Sequence, residues 1–338
     1  MLNKPFKPSC LSQNMSIPLP DLDGIDECFS CGPVATPDFS VSKLCDPMKT
    51  FTTETEQGVL YDNQNPLHQS KTCVLYLAMQ DKQFFAIKNS RNINMLHHEH
   101  DMYQIVGKCA TIIQDIGFWT SNDEAFILLE FANGGSIAKA INYLSIDEAW
   151  KVFAHISYAI DAIHQHNLIH LDISPSNILQ MKLNDEPIYK LVDFGTVTPV
   201  GDTRYFGEGA GPYLAPELLS YHKSGSDKTQ MCDIWSFGAV MYEVVTQKPI
   251  PRELPDYENI RKGSYDFSYV PPEFEIIIQM LSPIPSLRPT IKDIMRIPRI
   301  QKELSQLRNI IMKSEQKKCK SLSLSSESYN RRVSFDNI

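Results

Sequence analysis

The chain has 338 residues, of which 42% are hydrophobic and 21% are charged, as in ordinary soluble globular proteins. Its formal net charge of −8 argues against a broad nucleic-acid-binding surface. Among the eight cysteines, Cys28 and Cys31 form a CxxC pair, but no second pair or Cys/His group at zinc spacing accompanies it, and no run of 18 apolar residues occurs. We therefore expect reduced thiols, no membrane span, and a location in the nucleus or cytoplasm.

The two ends of the chain differ in composition from its middle. Residues 1–50 contain seven prolines and show no helical or alternating period, which predicts a disordered segment. Residues 313–338 are rich in Lys and Ser, and we expect a disordered basic tail there. One patterned block, 55–312, lies between them and predicts a single domain.

Strand patterns dominate the first part of this block. Cys73–Gln80 and Gln83–Lys88 are apolar runs that flank a two-residue Asp81-Lys82 turn, which predicts a hairpin. A helix and two further strands are expected next, over Asn94–Val106, Thr111–Trp119 and Ala125–Glu130.

Helical periods follow. Ser145 and Glu148 have the spacing of a capping box. The apolar residues behind it fall on one helix face, namely Trp150, Phe153, Ile156, Ile160 and Ile163. Later helices are expected over Asp233–Thr246, Phe274–Leu281 and Ile300–Ile311. Strands first and helices later predict an α+β chain with a sheet-rich small lobe and a helical large lobe.

Four short motifs carry the chemistry. Phe85-Ala-Ile-Lys88 ends a predicted strand, and the next helix carries Glu99, which could hold the lysine by an ion pair. His170-Leu-Asp172-Ile-Ser-Pro-Ser-Asn177 follows the first long helix. Further on, an apolar strand ends in Asp193-Phe-Gly195, and Ala215-Pro-Glu217 comes 22 residues after that aspartate. In this order and at these intervals, the motifs resemble those of the eukaryotic protein kinases over nearly the whole block.

The resemblance implies a bilobal protein kinase fold and an enzyme that transfers the γ-phosphate of ATP to a protein hydroxyl. It implies that Lys88, held by Glu99, neutralises the α- and β-phosphates, and that Asp172 accepts or orients the substrate proton. Asn177 and Asp193 would bind Mg²⁺, which prefers oxygen ligands.

The resemblance also assigns residues outside the chemical step. It places Cys73, Ala86, Glu130 and Ala132 around the nucleotide. It further implies a salt bridge between Glu217 and Arg288, and a brace under the catalytic loop from Asp233.

Several stretches are most similar to the Wee family, which inhibits cyclin-dependent kinases at G2/M by phosphorylating a tyrosine. They are Glu130–Ile137 at the expected hinge, Asp172–Asn177, Phe194–Thr198 and Tyr213–Leu219. This similarity implies a cyclin-dependent kinase as the protein partner.

The sequence also departs from the kinase pattern. No glycine occurs in Pro66–Lys71, where the phosphate loop is expected, so either side chains such as Lys71 and Ser70 bind phosphate or ATP binding is weak. Ser174 stands where a lysine would face the γ-phosphate, and Leu171 replaces an arginine. A serine/threonine kinase of another branch and a pseudokinase scaffold therefore stay open as alternatives.

A short pattern lies in the tail. Arg332-Val333-Ser334-Phe335 resembles the docking motif for protein phosphatase one, and Ser334 in this context resembles a target of basophilic kinases.

Overall fold

The computed structural model describes residues 51, 53–183, 185–202, 211–219 and 228–333, with side chains to 316. The predicted disordered segment 1–50 lies outside the described residues, as do Ser334 and Phe335. The described chain has an antiparallel sheet followed by a mainly helical part, which confirms the α+β, bilobal kinase fold.

Six strands form the sheet of the small lobe, in the order β1-β2-β3-β4-β6-β5. Their bounds are β1 Thr53–Glu54, β2 Leu60–Gln69, β3 Val74–Gln80, β4 Gln83–Ser90, β5 Asp115–Ser121 and β6 Glu124–Glu130. The predicted hairpin is confirmed, since β3 and β4 pair through Asp81 and Lys82, which both have positive φ. Such turns match the twist of the flanking strands.

Strand β2 was not predicted, because its many polar residues and Pro66 obscure the alternating apolar pattern of a strand. Strand β5 begins at Asp115 rather than Thr111, since Ile112 instead forms a parallel bridge to Leu191 in the large lobe. This bridge connects the two lobes beside the predicted nucleotide cleft.

Helix α1, Ile93–Val106, packs under the sheet and matches the predicted helix. The Asn92 side chain caps it by accepting the Met95 N–H. One face is buried, and it carries Leu96, Glu99, Met102, Tyr103 and Val106. A charged Glu99 on this apolar face requires a partner inside the protein.

Helix α2, Ile146–Gln165, is the central helix of the large lobe. The capping box of Ser145 and Glu148 is present, and all five residues of the predicted apolar face are buried. The other helices are α3 Pro216–Leu219, α4 Gln230–Thr246, α5 Asp256–Lys262, α6 Ile276–Met280, α7 Ile291–Met295 and α8 Pro298–Val333. Four short strands, β7 Leu168–Ile169, β8 Ile178–Leu183, β9 Glu186–Leu191 and β10 Thr198–Pro199, lie at the cleft side of this lobe.

Helix α8 corrects the prediction for the tail. The sequence predicted a helix over Ile300–Ile311 and disorder from 313, but the helix continues to Val333. Its first turns are fixed by buried Ile300, Leu304 and Leu307. The Lys, Glu and Gln residues of 313–318 have high helix propensity, which favours continuation of the helix past the packed part, whereas the Ser-rich sequence from 321 onwards has no such preference.

Within the described ranges, no helix combines the length and the apolar character needed to span a membrane.

Candidate active site

Three charged side chains meet in the cleft between the lobes. Lys88, near the end of β4, lies 2.7 Å from Glu99 Oε2 on α1 and 3.0 Å from Asp193 Oδ1 in the large lobe, measured from its Nζ atom. Glu99 and Lys88 are almost fully buried, whereas the Asp193 side chain is 39% exposed. The ion pair predicted between Lys88 and Glu99 is therefore present, and it extends to the aspartate.

Burial and charge act against each other in this cluster. Burial raises the pKa of Glu99 to about 7, although the charge of Lys88 lowers it. For Lys88, burial lowers the pKa, but the charges of Asp193 and Glu99 outweigh this effect and hold it well above its ordinary value. Burial likewise raises the pKa of Asp193, yet Lys88 brings it below the ordinary range. Lys88 stays protonated and Asp193 stays ionised at neutral pH.

The backbone aims Asp193 at the lysine. Asp193 adopts the left-handed conformation with φ +64°, which is uncommon for a residue with a side chain. Its carboxylate accepts the Gly195 N–H at 3.4 Å. A Cβ atom on Gly195 would lie 3.3 Å from Asp193 Oδ1, so a side chain there would crowd the carboxylate.

Asp172 and Asn177 form the second polar group. The Asn177 amide nitrogen donates to Asp172 Oδ2 at 2.8 Å and to the Asp172 carbonyl oxygen at 2.9 Å. A Pro175–Asn177 turn of 3₁₀ helix places the two residues together. Because the nitrogen faces Asp172, the amide oxygen of Asn177 is the atom left for a cation.

Asp233 fixes the backbone ahead of Asp172, as predicted. This fully buried residue of α4 accepts the N–H groups of His170 at 2.8 Å and Leu171 at 2.9 Å. Nε2 of His164 lies 2.9 Å from its Oδ2. Leu171 has φ +66°, so the carboxylate holds a strained residue directly before Asp172.

A column of rings joins the lobes behind the charged cluster. Tyr103 of α1 stacks on Phe194, with ring centroids 4.1 Å apart, and Phe194 contacts the His170 ring at 5.4 Å. The column ties α1 to the catalytic loop, so the position of Glu99 depends on the position of Phe194.

The predicted scaffold salt bridge is also present. Arg288 donates to both carboxylate oxygens of Glu217, at 2.6 and 2.8 Å, and its side chain is fully buried. Bidentate pairs of this kind fix orientation as well as distance. The segment that ends at Glu217 is therefore anchored to the large lobe.

The residues assigned to the nucleotide lie along the small-lobe side of the cleft. Ala86 is buried on β4, and Cys73 follows the β2–β3 turn. The Glu130 carboxylate is committed to Lys190, at 2.7 Å, so Glu130 could meet an adenine only through its backbone. The Ala132 N–H takes part in no main-chain hydrogen bond within the described part of the chain, which suits a base-binding donor.

The donor set fits a magnesium nucleotide. Asp193 and Asn177 supply a carboxylate and an amide oxygen, which are hard ligands of the kind that Mg²⁺ takes beside phosphate. Lys88 supplies a buried positive charge next to them.

Comparison with known families gives the class. The model of the protein kinase domain matches residues 69–300, so the chain belongs to the protein kinase family. Similar proteins include a Wee1-like protein kinase of Oryza sativa, 28% identical over 64% of this chain and 42% of that protein. The mitosis inhibitor protein kinase mik1 of Schizosaccharomyces pombe is 25% identical, over 59% of this chain and 38% of that protein.

A third relative is a membrane-associated tyrosine- and threonine-specific cdc2-inhibitory kinase of Caenorhabditis elegans, 27% identical over 67% of this chain and 34% of that protein. The chain spans between about a third and two-fifths of the length of these relatives.

Two contacts in the site were not predicted from the sequence. The pair of Glu130 with Lys190 and the stacking of Tyr103 on Phe194 both join residues far apart in the chain. The spacing of Tyr103 four residues after Glu99 was a usable signal, because it puts both on one face of α1.

Proposed function

We propose that the chain uses Mg²⁺ and ATP at the cleft and that Lys88, Glu99, Asp172, Asn177 and Asp193 carry the reaction. The observation that carries this proposal is the ion-paired cluster in which Lys88 joins Glu99 of the small lobe to Asp193 of the large lobe. An assembled cluster of this kind can receive phosphates without a change of lobe position.

Each residue has a defined task. Lys88 would neutralise phosphate oxygens, and Glu99 would hold its ammonium group in place. Asp193 and the Asn177 amide oxygen would hold Mg²⁺, which neutralises charge on the phosphates when bound. Asp172, positioned by Asn177, would orient the substrate hydroxyl and accept its proton. Cys73, Ala86 and the backbone of Glu130 and Ala132 would surround the base.

We further propose that the substrate is a cyclin-dependent kinase and that the chain acts as a Wee-like inhibitor of the cell cycle at G2/M, in the nucleus or cytoplasm. Support comes from the relatives described as Wee1-like, mitosis-inhibiting or cdc2-inhibitory kinases. The motif resemblance at Glu130–Ile137 and Tyr213–Leu219 points to the same branch.

The test uses the purified chain with labelled ATP, Mg²⁺ and a cyclin-dependent kinase–cyclin complex, followed by phosphoamino acid analysis. Asp193→Asn should abolish labelling. Asp123→Asn is the matched control, because Asp123 is exposed in a turn with φ +60°, a conformation that Asn also tolerates. Label on a substrate tyrosine supports the Wee-like function. Label on serine or threonine would support the kinase activity and refute the Wee-like function. No label on any substrate would refute the roles assigned to the site residues.

We also propose that Arg332–Phe335 docks protein phosphatase one, on the motif resemblance alone. Val333→Ala should abolish pull-down of the phosphatase, with Ile338→Ala as a control beyond the motif. Equal pull-down by wild type and Val333→Ala would refute it.

A further inference from the structure

The segment Pro66–Lys71, where the phosphate loop is expected, contains no glycine, so a side chain would have to contact the phosphates from this part of the cleft. Strand β2 ends at Gln69, and β3 begins at Val74. The Ser70 hydroxyl is engaged within this turn, where it accepts the N–H groups of Thr72 and Cys73. The hydroxyl also donates to the Cys73 carbonyl oxygen at 3.2 Å, so the turn uses its donor as well.

The strand register places His68 in one row with Lys88. His68 lies opposite Leu75 of β3, and Leu75 lies opposite Lys88 of β4. Directly opposed residues of an antiparallel sheet share a face. Lys88 points into the cleft, as its ion pairs show, so His68 belongs to the cleft face as well.

Packing of the neighbouring residues agrees with this assignment. Leu75 packs against the main core below the sheet. Its strand neighbour Tyr76 packs with Tyr61 against the separate apolar cluster on the opposite face. The alternation is therefore intact along β3, and the face of His68 follows from it.

A β-bulge produces this register. Pro66 pairs with Tyr76 and His68 pairs with Leu75, so Leu67 is the extra residue. Without that one-residue shift, Leu67 would lie opposite Leu75, and His68 would point away from the cleft. Pro66 suits the bulge because it has no N–H to lose. The bulge thus exchanges an apolar side chain for an imidazole on the cleft face.

Distance and charge bring His68 into range of a phosphate. Two strand spacings put its backbone about 10 Å from that of Lys88, so a phosphate between them is within reach of both side chains. Partial burial lowers the pKa of His68, while the charges of Asp193 and Lys88 act on it in opposite directions. The imidazole makes no hydrogen bond to the described residues, and it is exposed to solvent.

We propose that His68 is a nucleotide-binding residue that donates a hydrogen bond to a phosphate oxygen, in place of the backbone of a glycine-rich loop. This inference rests on the proposed use of ATP at the same cleft. It makes phosphate recognition in this kinase depend on a side chain.

The test is calorimetric titration of the full chain with MgATP and with adenosine. His68→Ala should weaken MgATP binding about tenfold, the effect of losing one hydrogen bond to a charged group, and leave adenosine binding unchanged. His68→Gln keeps a donor and should retain part of the affinity. Gln69→Ala is the matched control, because Gln69 is exposed on the opposite face of the sheet. This variant should bind both ligands as the wild-type chain does.

Equal MgATP affinity of wild type and His68→Ala would overturn the inference while leaving the kinase function intact. Equal losses for MgATP and adenosine would also overturn it, since they would indicate a change in cleft shape. If the wild-type chain binds neither ligand, the proposed nucleotide site itself fails, and the inference fails with it.

Discussion

Asp233 offers a direct test of how the scaffold positions the catalytic loop. Its two carboxylate oxygens serve the N–H groups of His170 and Leu171 and the imidazole of His164, inside a fully buried site. Asp233→Asn removes the charge and replaces one oxygen with a donor that would face another donor. If the amide nitrogen takes the place of Oδ1, which accepts the fewer bonds, the Leu171 N–H still loses its acceptor.

The expected loss follows from these contacts. An unpaired buried N–H costs about 1–3 kcal/mol, and hydrogen bonds to charged groups are worth about 1.5–3 kcal/mol. We therefore expect Asp233→Asn to lower the free energy of unfolding by about 3 kcal/mol. Release of Leu171 from its positive φ should also displace Asp172, and a shift of about 1 Å can cost about 100-fold in rate.

Urea unfolding and steady-state kinetics measure the two effects. We expect kcat to fall by about 100-fold with KM for ATP nearly unchanged, because Asp233 lies behind the loop and not against the nucleotide. Asp81→Asn is the control, since Asp81 lies in an exposed turn of the small lobe. A kcat and an unfolding free energy equal to those of the control would refute the reasoning.

Three further changes probe charge. Ser174→Lys should raise kcat, because it returns a positive charge to the catalytic loop, and an unchanged kcat would contradict this role. Arg288→Met should lower the free energy of unfolding by about 3–5 kcal/mol in urea titrations, since it removes the cation that balances the buried carboxylate of Glu217, and a loss under 1 kcal/mol would contradict the burial argument. Burial, aided by the charge of Lys151, lowers the pKa of His155 to about 3. As the pH falls, the imidazole is therefore protonated in the unfolded state before it is protonated in the folded state. The free energy of unfolding should fall as pH drops from 6.5 towards 3, by up to about 1.4 kcal/mol per unit, and His155→Gln should reduce this slope.

Much of the fold could be predicted from local patterns. The β3–β4 hairpin, helix α1 and the capping box of α2 all depend on neighbours within a few residues, and those signals are explicit in the sequence. Strand β2 could not be predicted in this way, because its pairing with β3 contains two register shifts. The first of them surrounds Asp62, whose carboxylate accepts the N–H groups of Gln64 and Asn65.

The candidate site, like the fold, could be predicted from the sequence only in part. Motif order was sufficient to predict the ion pair of Lys88 with Glu99, which the structure contains together with the contact of Lys88 to Asp193. The structure also pairs Asn177 with Asp172, and the roles assigned to these residues stay a prediction. Which residue faces the phosphates could not be read from the motif, because a bulge of one residue changes the face of every side chain that follows it.

Two departures from the kinase pattern, the missing glycines of Pro66–Lys71 and Ser174, concern the phosphates, whereas the scaffold contacts of Asp233 and Arg288 are complete. A lysine at position 174 and a donor at His68 would act on the same phosphate charge. If His68 compensates for the missing lysine, Ser174→Lys should restore most of the phosphotransfer lost in His68→Ala. A double-mutant cycle on kcat/KM measures this, and interacting residues typically show a coupling energy of about 0.5–3 kcal/mol. Effects that add within about 0.5 kcal/mol would show that the two positions act independently, and that the loss of the lysine is not offset from the small lobe.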